Sequence, residues 1–144
     1  MTESSRPYSI LRSTVAVLAG IFINIILSLG TDELLHVARV FPPWGASMAG
    51  YDGALLLATI YRTVYGVAGS YIAARFAPNR YMLHAMVLGI LGFAISILGA
   101  AATWNKGPAF GPHWYPLALI VLALPTAWAG AKLRLAQLSA TPPQ

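Results

Sequence analysis

The residues able to do chemistry cluster near the end of the first apolar run. Asp32, Glu33 and His36 read Asp-Glu-x-x-His. Spacings of three and four place side chains on one helix face, so a carboxylate and His36 can address one metal ion. A Glu-x-x-His pattern serves di-iron carboxylate bundles when two helices carry it together with two further glutamates. The whole chain has four acidic residues, so that site is excluded by count. A zinc site from Glu33, His36 and His113 is the surviving metal reading, and His36 with His113 also permits a bis-histidine haem. Neither is expected. The same residues suit a wet helix end with Asp32 bonded to His36, and the expected cofactor is none. Ser28, Asp32 and His36 can be written as a hydrolase triad. They share one helix face and lack a nucleophile elbow, so that reading is rejected.

These residues belong to a longer pattern. Ala16, Gly20, Asn24, Ser28, Asp32 and His36 recur every four residues within apolar sequence. The stripe faces protein or a wet cavity, because lipid cannot satisfy polar groups. Arg62 lies deep in the second apolar run, where an arginine costs about 2.5–3.5 kcal/mol on insertion scales. It needs a partner. It stands ten residues after Asp52, and Gly30 stands ten before Val40. A hairpin closing between Val40 and Asp52 therefore brings Asp32 to the height of Arg62, with Glu33 as the substitute partner. The expected cluster is Asn24, Ser28, Asp32, Glu33, His36, Tyr61, Arg62 and Tyr65. Asn105 and Lys106 can close over it from a later loop.

Composition says what must hold this cluster. The chain has 144 residues, 58% hydrophobic and 9% charged, with mean hydropathy +0.67. Soluble domains carry about 25% charged residues. So few polar groups cannot cover a water-soluble globule, and an integral membrane protein follows. The absence of cysteine excludes disulfides, thiol catalysis, iron–sulfur clusters and zinc–thiolate sites.

Four apolar segments are expected to be helical, at about 13–40, 52–76, 81–104 and 113–133. Each approaches the roughly 20 residues that cross a bilayer. Residues 1–12 read as a polar tail and 135–144 as a second tail. Phe41-Pro42-Pro43-Trp44-Gly45 stops the first helix, and Asp52 can cap the second. Pro125 is expected to kink the fourth. Four spans put both termini on one side, with Arg6, Arg12, Arg75, Arg80, Lys132 and Arg134. Arg39 and Lys106 fall on the other. The basic side is cytoplasmic. Trp44, Tyr51, Trp104, Trp114 and Tyr115 form an aromatic belt at the outer side. The net charge of +5 is thus an orientation signal, and nucleic acid is not an expected partner. A competing reading takes the first segment as a cleaved signal peptide, but Asn24 interrupts its apolar run. Small residues at helix-packing spacing, such as Ala123, Ala127 and Ala131, mark every segment. The fold class is an all-α, integral-membrane, antiparallel four-helix bundle.

Ala58-Thr59-Ile60-Tyr61-Arg62-Thr63-Val64-Tyr65-Gly66, Gly69 to Arg75, Ala77-Pro78-Asn79-Arg80 and His84-Ala85 resemble a group of small bacterial membrane proteins with no established activity. Trp104 to Pro108 and Gly111 to Pro116 are similar to that group's second outer loop. The resemblance covers about residues 20–134. It implies a four-span protein of the bacterial inner membrane and adds no mechanism.

The expected function is that of a non-catalytic membrane component, an accessory, assembly or interaction protein meeting the lipid bilayer, other membrane proteins or copies of itself. The alternative is a small-solute or proton-coupled transporter, or a ligand-binding module, with a polar chamber around Asp32 and Arg62. A metal-dependent enzyme is the third reading.

Overall fold

A computed structural model describes residues 6–140. Four helices make the fold, and no strand occurs among the described residues. They are α1 (Arg6–Val37), α2 (Asp52–Phe76), α3 (Tyr81–Thr103) and α4 (Trp114–Ala140), with a short 3-10 turn at Pro108–Phe110 before α4. α1 starts within the stretch read as a tail, and α4 continues past Leu133 and through Pro125. The outermost tail residues, 1–5 and 141–144, lie outside the described residues.

Three helices, α1, α3 and α4, are long and apolar enough to cross a membrane. α2 has the length, 25 residues, but Thr59, Tyr61, Arg62, Thr63, Tyr65 and Ser70 dilute its apolar character. Its position explains the difference. α2 is in contact with α1, α3 and α4, and buries Leu55, Ala58, Thr59, Tyr61, Gly66, Gly69, Ser70, Ala73 and Ala74. A helix wrapped by protein can carry polar groups that a lipid-facing helix cannot.

The polar stripe is the packing face of α1. Ala16, Gly20, Ser28 and Asp32 are buried, while Asn24 and His36 are half-buried. At one end of the molecule the helices meet through glycine and alanine. A Cβ on Gly20 would lie 2.5 Å from the Gly69 carbonyl oxygen, and one on Gly130 2.5 Å from the Val67 carbonyl oxygen. Ala73, Ala74, Ala85, Ala127 and Ala131 are fully buried nearby. Small residues allow such close backbone approach where no aqueous hydrophobic effect drives association.

α1 ends at Val37, before the expected Val40. The Val40 N–H donates to the Leu35 carbonyl and the Arg39 N–H to the His36 carbonyl. This is the Schellman pattern, with Arg39 in the left-handed region at φ 59. Glycine usually occupies that position, and its absence hid that the helix ends three residues before Val40. Arg39→Gly relieves the strain and is expected to stabilise the fold by about 1 kcal/mol. Thermal unfolding in detergent micelles checks this, and an unchanged or lowered midpoint refutes it.

Candidate functional site: an ion pair beneath an aromatic chamber

The site begins with two helices and the loop between them. Asp32 is 6% exposed, held on the buried face of α1. Arg62 Nη2 donates to Asp32 Oδ2 at 2.5 Å, and the Tyr61 hydroxyl donates to Asp32 Oδ1. Both carboxylate oxygens are therefore engaged by neighbouring residues of α2. One turn further along α2, the Tyr65 hydroxyl is 2.8 Å from Thr31 Oγ1. These contacts fix the hairpin at the height that counting from the loop gave.

Above the pair lies a cavity of about 360 Å³. Asp32, Tyr61 and Arg62 line it together with His36, Trp44 and Tyr115. The loop after α1 and the loop before α4 cover it, and they are joined by one backbone bond, from the Met48 N–H to the Ala109 carbonyl at 2.9 Å. Phe41, buried beneath the loop, packs with Ala58 and Tyr61, and Tyr115 and Met48 pack against that group. The volume falls in the range of small-molecule sites, about 300–1,000 Å³.

No protein family, curated protein or solved structure matches this chain. The chemistry of the chamber must be read from its own residues.

His36 takes a different partner from the one expected. Its Nδ1 donates to the Pro42 carbonyl at 2.6 Å, and its ring lies against Trp44, with centroids 3.9 Å apart. The prolines that stop the helix thus supply the acceptor that orients the histidine, in place of Asp32. Glu33 is exposed and accepts from the Trp44 indole at 3.1 Å. It is not an alternative partner for Arg62. Asp52 accepts from the Trp114 indole at 2.9 Å, and its side chain does not cap α2. His113 stacks on Trp104 and its Nε2 donates to the Trp104 carbonyl at 3.0 Å. Glu33, His36 and His113 are therefore not brought together, and no three potential metal ligands cluster among the described residues. Lys106 lies over the Phe110 ring at 5.3 Å, and Asn105 lines a separate cleft.

The expected cluster thus divides. Asp32, His36, Tyr61 and Arg62 line the chamber. Asn24 and Ser28 line a second cavity at greater depth, which Arg62 also borders. Ser28 Oγ donates to Asn24 Oδ1 at 3.4 Å. Thr31, Phe41 and Tyr115 belong to the site and were not anticipated. Thr31 lies off the four-residue stripe, and Tyr115 carried only the signal of an interfacial aromatic.

The arrangement offers one charge of each sign at the base of an aromatic vessel. The pair is already neutral, so a ligand of a single charge would leave excess charge in a poorly solvated place. A ligand carrying both signs would not.

Proposed function

We propose that this chain is a non-catalytic, four-span protein of the bacterial inner membrane whose outer chamber binds a small zwitterionic solute. α2 acts as the fourth span, sheltered by the other three. Antiparallel packing is supported by the contact order of α1 and α2, in which Thr31 and Asp32 meet Tyr65 and Arg62 while Gly20 meets Gly69. Both termini lie in the cytoplasm by the distribution of basic residues, which puts the chamber on the outer side. The observation that carries the binding function is the 360 Å³ cavity bordered by both members of an ion pair, Asp32 buried and Arg62 half-buried. A pair serving only to fix the hairpin needs no room beside it. The aromatic walls suit an ammonium group, and Arg62 suits a carboxylate.

Calorimetry on the purified protein in lipid nanodiscs tests this with glycine betaine, acetate and tetramethylammonium. Glycine betaine should bind at least about tenfold more tightly than either singly charged compound, and Asp32→Asn and Arg62→Gln should each abolish that preference. Equal binding of all three compounds, or none, sinks the proposal.

A second reading keeps the non-catalytic role but places it in association with other membrane proteins or with copies of the chain. It is favoured by Gly99, exposed on α3, where an added Cβ would meet nothing. Recovery from native membranes only as a lone monomer in mild detergent counts against it.

A further inference from the structure

The deeper cavity has no part in the reading above. It measures about 370 Å³ and is lined from Ile21 to Leu29 on α1, Arg62 to Ser70 on α2, Leu88 to Ser96 on α3 and Leu119 to Thr126 on α4. Eight residues of helix rise about 12 Å, which sets its length. Its far end is shut where Gly20 abuts Gly69 and Leu88. Its side is open between α1 and α3, which touch each other less than the other packed helix pairs do. The rims of that opening, Ile25, Leu29, Leu91 and Ile95, are exposed apolar side chains. Most of the wall surface is apolar, Asn24, Ser28, Thr63, Ser70, Ser96 and Thr126 interrupt it, and Arg62 is the one ionisable residue among the lining side chains. Arg62 Nε is buried there without a hydrogen-bond partner. The same arginine lines the chamber above.

We infer that the chamber's ligand is a single-chain zwitterionic amphiphile, its head on Asp32 and Arg62 and its hydrocarbon chain in this groove, admitted sideways from the membrane between α1 and α3. The inference rests on the proposed chamber function and names the ligand class for it. The anionic part of the head accepts from the Arg62 guanidinium, which borders both cavities. The cationic part stands between the Asp32 carboxylate and the aromatic walls. The chain fills a slot whose surface is mostly apolar and which is closed at its foot. A free solute would use the chamber and leave the groove idle.

Native mass spectrometry of the detergent-solubilised full chain tests this with three probes: lysophosphatidylcholine bearing a myristoyl chain, glycerophosphocholine as the head alone, and myristyl alcohol as the chain alone. Lysophosphatidylcholine should bind at least about tenfold more tightly than either fragment. Gly92→Phe projects a ring at the groove from a position where a new Cβ meets nothing. It should reduce lysophosphatidylcholine to the level of glycerophosphocholine and leave glycerophosphocholine unchanged. Gly92→Leu replaces it if the phenylalanine variant does not fold. Equal binding of lysophosphatidylcholine and glycerophosphocholine by the unaltered chain overturns the inference while leaving the chamber function standing. Equal binding of lysophosphatidylcholine and myristyl alcohol, with none of glycerophosphocholine, overturns both.

Discussion

Arg62→Met costs the folded protein about 3 kcal/mol, Asp32→Leu costs more, up to about 5 kcal/mol, and the double variant costs less than the sum. The asymmetry follows from who is left behind. Without Arg62, the Asp32 carboxylate keeps the Tyr61 hydroxyl but remains a buried charge. Without Asp32, both the guanidinium and the Tyr61 hydroxyl lose their acceptor. Arg62 is 32% exposed at its side chain against 9% for Asp32, so water tempers the cost of the guanidinium that Asp32→Leu leaves behind, but it does not replace the acceptor lost to the buried Tyr61 hydroxyl. In the double variant no unpaired charge stays in the bundle, and two apolar side chains of similar size pack in its place. Unfolding of the four proteins in mixed micelles gives the coupling directly as a double-mutant cycle. Additive single effects would show that the pair contributes no mutual stabilisation.

The second large effect concerns the helix seams. Gly130→Ala and Gly20→Ala should each destabilise the bundle by about 1–3 kcal/mol, as overpacking does. The new methyl group at Gly130 would meet the Val67 carbonyl oxygen at 2.5 Å and the Tyr71 backbone nitrogen at 2.7 Å. At Gly20 it would meet the Gly69 carbonyl oxygen at 2.5 Å. Backbone atoms within helices cannot step aside as a side-chain end can, so the helices must separate. Gly30→Ala and Gly99→Ala are the controls. Nothing lies near a Cβ at either position, and alanine is the better helix former by roughly 0.5–1 kcal/mol. These two should hold or raise the melting midpoint. A uniform response at all four sites would refute the seam argument.

The helical class, the helix count and the Asp32–Arg62 contact were legible because each rests on a strong regularity. A polar residue in apolar sequence is expensive, so its recurrence every four residues between Ala16 and His36 identifies a protected face. Loop closure then fixes the height at which Arg62 meets it. The partners of His36 and Glu33 were not legible. Both depend on how Phe41 to Trp44 folds back over the helix end, and that path follows from the left-handed Arg39. A sequence reading expects glycine there and finds arginine. The chamber's aromatic walls were hidden for a related reason. Phe41 reaches the chamber from the loop after α1 and Tyr115 from the first turn of α4, and no spacing rule connects them to Asp32. The polar character of α2 had the opposite fate. It lowers the helix's hydropathy, yet it follows from the central position that gives α2 its contacts with all three neighbours.

The backbone bond between Met48 and Ala109 sets the rhythm at which the chamber communicates with its surroundings. Both residues border the cavity, and this bond links the two covering loops directly. Parting them disturbs a small contact and leaves the helix seams intact, so the opening is a sub-global fluctuation far cheaper than unfolding. The Met48 amide should accordingly exchange its proton with solvent orders of magnitude sooner than amides at the Gly20–Gly69 crossing. Its exchange rate becomes a clock for access to the ion pair, and an occupant that bridges the loops would slow it.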